Sequence, residues 1–348
     1  MNRSSPQGRS SSEARRSSSD ASIALPITST PCIIAQPADL INDQKVLEGE
    51  KILITGPGGR IAFGIAKMLV SANEVWGIAR FSDPAARAEV EALGVTTRAI
   101  DLAAPDFGDL PADFTYLLHI AADFGEDYER GLRVNAEGTG LLMSHCRAAK
   151  AALVMSTLTV YKPHSDPFHA FREEDPIGDQ LLPNPQPYSI VKIAEEAVAR
   201  YCAREFEVPL TIARMGSAYG ERGGLPLWHL QAIAAGNPVV VRWDPLPYSP
   251  IHYDDINAQV EALLNVASVP ATIVNWAGDV PVTVQEWSAY FGDLLGVNVD
   301  LRTHVVPGAS VGSVGDNAKR LSITGPCTVD WRVGFRDMAA HYYPDRVR

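Results

Sequence analysis

After residue 50 the apolar positions come in short runs separated by longer amphipathic stretches. In "KILITGPGGRIAFGIAKMLV" the first run is Ile52, Leu53 and Ile54, the pattern of a strand covered on both faces in a parallel sheet. It breaks at Gly56, Gly58 and Gly59, then resumes as Ile61, Ile65, Met68 and Leu69 at helical spacing. Five more strand-like runs follow: "EVWGIARF" (74–81), "VTTRAIDL" (95–102), "FTYLLHIAAD" (114–123), "AALVMSTLTVY" (151–161) and "LTIARMGSAYG" (210–220). Helical stretches such as "ARAEVEALG" and "NAEGTGLLMSHCRAAKA" separate most of them. The alternation predicts an α/β fold built on a doubly wound parallel sheet. Further on, "VTVQEWSAYFGDLLG" (282–296) reads as a helix of a smaller lobe.

The start of the chain follows another rule. "MNRSSPQGRSSSEARRSSSDAS" is rich in Ser and Arg with little apolar surface to bury. Residues 1–47 are therefore expected to form an N-terminal extension, disordered at least to about residue 22. Across the 348 residues, 46% hydrophobic and 20% charged content suits a globular chain. The net charge of −11 leaves no basic surplus for a nucleic acid. No apolar run reaches the roughly 20 residues of a membrane helix. Four scattered cysteines, Cys32, Cys146, Cys202 and Cys327, fit a reduced cytoplasm better than a disulfide framework. The eight histidines form no H-E-x-x-H and no cluster with cysteine, so no metal site is expected.

Two motifs carry chemistry. A strand, a glycine turn and a helix bring a pyrophosphate onto backbone N–H groups at a helix N-terminus; the spacing here is T-G-x-x-G-x-x-A, with Gly56, Gly59 and Ala62. In "PYSIVK", Tyr188 and Lys192 lie four residues apart, on one face of a helix opened by Pro187.

Taken in order, "TGPGGRIA", Asp101–Leu102, "HIAA" (119–122), "VNAEGTG" around Asn135, "STLTVY" (156–161), "YSIVK", "RMGSAYG" (214–220) and "IHYDD" (251–255) resemble an extended short-chain dehydrogenase/reductase of the NAD-dependent epimerase/dehydratase superfamily. The resemblance spans about residues 50–300. It implies a Rossmann-type NAD(P)-binding domain over 48–215, with 216–348 mostly a C-terminal substrate-binding lobe interleaved with it. It implies Tyr188 as general acid/base, Lys192 as the group that tunes it and holds the nicotinamide ribose, and Thr157 as the hydroxyl that orients the substrate oxygen. A lysine ammonium and a cationic nicotinamide together would lower the phenol pKa from near 10. Cofactor contacts are expected from Gly56, Gly59, Arg60, Ile61, Arg80, Asp101, Leu102, Ala121, Ala122, Met215 and Ser217, besides Tyr188 and Lys192. On the helix after "PYSIVK", Ile190, Ile193, Ala194, Ala197 and Val198 give an apolar surface, whereas Glu195, Glu196 and Arg200 suit solvent. In the family this helix and the one after Asn135 often build a homodimer interface.

At the end of the second run, Ala79 stands where NAD-preferring members carry an acid, and Arg80 follows. This favours NADP over NAD, with Arg80 on the 2′-phosphate. Sugar dehydratases follow the Ser/Thr with an Asp-Glu pair; here Leu158 and Thr159 occupy those places. Epimerases commonly carry R-x-x-I-H, and Tyr248 stands at the arginine position, with Arg242 near in sequence. Trp228, Arg242 and Tyr248 are the candidate substrate residues. The expected activity is an NAD(P)-dependent oxidoreductase interconverting an alcohol and a carbonyl on a small or medium organic molecule. The alternatives are a sugar epimerase acting by transient oxidation and a non-catalytic dinucleotide-binding sensor.

Overall fold

The computed structural model describes residues 47–182 and 186–348. The expectations for the N-terminal tail concern residues outside the described ones. Seven strands form one sheet: β1 (Lys51–Thr55), β2 (Glu74–Ala79), β3 (Thr96–Ala99), β4 (Tyr116–His119), β5 (Ala151–Thr157), β6 (Leu210–Met215) and β7 (Thr272–Trp276). Their spatial order is β7-β6-β5-β4-β1-β2-β3, and every neighbouring pair is parallel. All seven residues of β5 and all six of β6 are buried, as a sheet covered on both faces requires. The order reverses between β1 and β4, so a crevice opens at their carboxyl ends.

The helices divide between the two faces: α1 (Ala62–Leu69), α2 (Pro84–Ala92), α3 (Gly138–His145), α4 (Tyr188–Phe206) and α5 (Tyr253–Asn265). Ile65 and Leu69 of α1 pack with Ile256 and Val260 of α5 over Ile52 and Ile54. On the opposite face Leu142 of α3 and Ala199 of α4 pack over Leu53 and Leu117. A separate core, built around Trp287, Phe291 and Phe335, packs the C-terminal helices. Its helix Val284–Leu295 begins in a capping box between Thr283 and Glu286, which satisfies two otherwise orphaned N–H groups.

Three features depart from the sequence pattern. The short "TIVNW" segment is β7, an additional parallel strand beside β6. The run expected over 210–220 splits at Gly216, and its second half, Ser217–Gly220, pairs instead with Pro250–His252. A Cβ at Gly216 would lie 2.8 Å from Ala277 Cβ and 2.9 Å from the Ser249 carbonyl, so no side chain fits this crossing point. The third is the orientation of α4. Glu195 and Glu196, expected in solvent, are 0% and 4% exposed. Ile190 and Ala197 of the expected apolar surface face solvent, and Arg200 is exposed as expected.

Glu196 can be buried because Arg214 of β6 meets it with two hydrogen bonds, Nε to Oε1 at 2.9 Å and Nη2 to Oε2 at 2.8 Å. Ser156 Oγ donates a third at 2.5 Å. Removing one member of a buried pair strands the other charge. Glu196→Ala is accordingly expected to lower the unfolding free energy by about 3–5 kcal/mol in denaturant melts.

Candidate active site

A cavity of about 850 Å³ opens at the carboxyl ends of the strands. Each expected element reaches it by a different route. Gly56, Gly59, Arg60 and Ile61 arrive from the turn between β1 and α1. Gly56 has φ +65, and a Cβ there would sit 3.2 Å from Ala121 Cβ, so both conformation and space favour glycine. Arg80 comes from the end of β2, Asp101 and Leu102 from beyond β3, and Ala121 and Ala122 from beyond β4. Thr157, Tyr188, Met215 and Ser217 form the inner wall, and Trp228 stands on the lobe side. Gly58 and Gly59 line the cavity without side chains, so their backbone is open to a pyrophosphate.

Thr157 ends β5 and Tyr188 begins α4, and both side chains line the cavity. Thr159, the neighbouring hydroxyl, lies 3.2 Å from Thr157 Oγ1 but does not line the cavity. The phenol differs from its expected state. Burial raises the Tyr188 pKa above its ordinary value, the Glu195 carboxylate raises it further, and only the nearby Thr157 hydroxyl opposes them. The Lys192 ammonium, 1% exposed, is in contact with Glu195. Lys192 is correspondingly not on the cavity wall, although Tyr188 one turn earlier is. The Phe124 ring stacks on Tyr188, with centroids 4.6 Å apart and planes inclined by 26°.

Two expected substrate residues lie elsewhere. Arg242 donates from Nε to the Ser310 carbonyl and rests 6.0 Å from the centre of the Tyr248 ring. Tyr248 packs toward Trp287, with ring centroids 5.7 Å apart. Neither lines the cavity.

Several contributors carried no role in the sequence reading. Asn135 sits in a short π-helical segment, Leu132–Glu137, and is completely buried. Its Oδ1 accepts from the Asp123 N–H at 2.9 Å and its Nδ2 donates to the Asp123 carbonyl at 3.1 Å. It thus clamps the loop that carries Ala121, Ala122, Asp123 and Phe124 along the cavity. The asparagine inside "VNAEGTG" was the available signal. His119 accepts from or donates to Thr55 Oγ1 at 2.9 Å, and burial holds its pKa down at about 3, with the Lys192 charge acting in the same direction. It is a neutral brace between β1 and β4.

The model of the NAD-dependent epimerase/dehydratase family matches residues 52–244. The chain belongs to that family. No curated protein matches it. Among solved structures, UDP-glucuronic acid 4-epimerase from Bacillus cereus, in complex with UDP-glucuronic acid and NAD, superposes with a TM-score of 0.73 at 20% identity. The match covers 84% of this chain and 98% of that one. UDP-N-acetylglucosamine 4-epimerase from Methanobrevibacter ruminantium, in complex with UDP-N-acetylmuramic acid, gives 0.74 at 17% identity over 86% and 99%. DesIV, a dTDP-glucose 4,6-dehydratase from Streptomyces venezuelae with NAD bound, gives 0.73 at 21% over 85% and 98%. At these identities the likeness is one of fold.

The comparison corrects the expectation of NADP. The Bacillus and Streptomyces structures contain NAD. The cavity offers a physical reason: Asp83 and Asp101 line it together with Arg80. The two carboxylates add negative charge to the wall that carries the arginine, which disfavours an added phosphate there. No helix among the described residues is long and apolar enough to cross a membrane.

The Asn135 clamp is open to test. Asn135→Ala leaves the Asp123 backbone groups without their side-chain partner, and a loss of about 1–3 kcal/mol of stability is expected in urea melts.

Proposed function

We propose that this chain is an NAD-dependent enzyme that oxidises a secondary alcohol, and that it does so transiently, as an epimerase of a sugar nucleotide. NAD, when bound, supplies the hydride acceptor. Tyr188 as phenolate takes the substrate hydroxyl proton while Thr157 holds the same oxygen, and Tyr188 returns a proton to that oxygen when the carbonyl is reduced again. Gly56 and Gly59, which line the cavity, would offer backbone to the pyrophosphate, and Asp101 would meet the adenosine ribose. The observation that carries this reading is the meeting of Thr157 and Tyr188 on the wall of the cavity that the glycine turn opens. At the positions where a dehydratase needs its acid and base, Leu158 is buried and Thr159 points to solvent. One acid/base group suffices for epimerisation and does not suffice for elimination of water. The sugar-nucleotide complexes of the epimerase relatives support the substrate class.

A second reading, net interconversion of an alcohol and a carbonyl on a substrate without a diphosphate, rests on the lobe side of the cavity. Phe124, Leu225 and Trp228 line it, while Arg242 and Tyr248 do not. No arginine from beyond residue 215 lines that wall, and arginine is the side chain best shaped for a diphosphate.

The outward face of α4, with Ile190 38% and Tyr201 61% exposed, and the neighbouring Leu141 at 50%, supports a homodimer paired through α3 and α4.

Tyr188→Phe is expected to keep NAD affinity and lower turnover at least about a hundredfold; equal turnover in steady-state kinetics would remove Tyr188 from the mechanism. Thermal-shift measurements with NAD present separate the two substrate readings. A UDP- or dTDP-sugar at a hundred times its dissociation constant adds roughly 2.7 kcal/mol, and an epimerase turns it over without accumulating NADH. Stabilisation absent across the panel, together with steady NADH formation from simpler alcohols, would favour the second reading. In calorimetry NAD is expected to bind more tightly than NADP, on the order of tenfold or more, the equivalent of one opposed charge contact; the reverse order would overturn the cofactor assignment.

A further inference from the structure

Beneath Tyr188 lies a carboxylate that the proposed chemistry does not use. Glu195 is fully buried, its Oε2 in contact with the Lys192 ammonium. Its Oε1 lies 3.5 Å from His119 Nε2 and 3.5 Å from Thr139 Oγ1. Neither neighbour can serve it well. Thr139 Oγ1 donates to the Asn135 carbonyl at 2.5 Å, which commits its one proton. It therefore accepts from His119 Nε2 at 2.7 Å, which commits that proton as well. His119 Nδ1 then accepts from Thr55 Oγ1, whose oxygen takes the Ile120 and Ala121 N–H groups at 2.9 Å each. The histidine is neutral, with its proton on Nε2. Lys192 is left as the strong partner of Glu195, and a buried carboxylate so placed depends on that partner.

We propose that Glu195 is a positioning residue that holds the Lys192 ammonium below the cavity wall, and that NAD binding, by drawing Lys192 to the nicotinamide ribose, transfers a proton from solvent onto Glu195. The inference rests on the reading of Lys192 as a cofactor ligand and Tyr188 as the proton-transfer group. The charged and titratable groups around Glu195 are Lys192, Glu196 and Tyr188 on α4, and His119 on β4. Arg214 on β6 acts through Glu196, and α3 presents the neutral Thr139. Burial pushes the Glu195 carboxyl up to about 7, against the downward pull of Lys192. Weakening that pull raises the carboxyl further. The sign follows: binding takes up protons, and NAD affinity falls as pH rises through neutrality.

Calorimetric titration of the full chain with NAD, in two buffers of unlike ionisation heat, measures this directly. Between about pH 7 and 8, uptake of a fraction approaching about one proton per NAD is expected. The dissociation constant should rise by up to about tenfold per pH unit, the limit for one linked proton. In Glu195→Gln the uptake disappears and the affinity becomes flat with pH. Proton-neutral binding to the unmutated chain overturns the proposal, as does equal uptake in Glu195→Gln. If that variant does not fold, the two-buffer result on the unmutated chain decides: uptake upholds the proposal and its absence ends it. The readout is a binding heat, so its failure is distinct from failure of the Tyr188 reading, which shows as unchanged turnover in Tyr188→Phe. No NAD binding at all would end both.

Discussion

The site depends on a helix that turns its charges inward. Along α4, Lys192, Glu195 and Glu196 are all buried, while Ile190 and Ala197 face solvent. Such an arrangement survives because each charge has a partner in place: Glu196 has Arg214, and Lys192 has Glu195. The Glu196–Arg214 pair ties α4 to β6, and the Ser156 hydroxyl ties the same carboxylate to β5. Those contacts fix the rotation of the helix about its axis. With that rotation fixed, Tyr188 at its first turn is aimed at Thr157 and the cavity.

The rest of the cavity follows from the sheet order. Where β1 and β4 lie side by side, the connections leave toward opposite faces, and the crevice between them receives the glycine turn from one side and the Ala121–Phe124 loop from the other. Thr55 and His119 brace the two strands just beneath that opening. Asn135 fixes the loop from the other face of the sheet. Both braces are buried hydrogen-bonded polar groups in a largely apolar layer, which makes their geometry specific.

Much of this was legible in the chain. Apolar runs located six of the seven sheet strands, and the glycine spacing located the turn, because both patterns follow directly from burial and backbone geometry. Glu195 and Glu196 of α4 lie inside and not in solvent as expected, since local amphipathicity cannot register that Arg214, on the following strand, would neutralise Glu196. The strand β7 escaped because its five residues include a buried polar one, Asn275, which accepts from the Tyr161 hydroxyl and so needs a tertiary partner to make sense. The cofactor preference failed for a related reason. Arg80 adjoins the strand end in sequence, but Asp83 and Asp101 join it on the same wall only after folding.

These charges together define the state in which the site waits. Lys192 and Glu195 are in contact, His119 is neutral, and Tyr188 is held above its ordinary pKa by burial and by the Glu195 carboxylate. A phenol so placed keeps its proton at neutral pH. The contact between Lys192 and Glu195 keeps the ammonium off the cavity wall. On the proposed reading Glu195 holds Lys192 there until the cofactor draws it to the ribose, which links the protonation of Glu195 to the presence of the hydride acceptor.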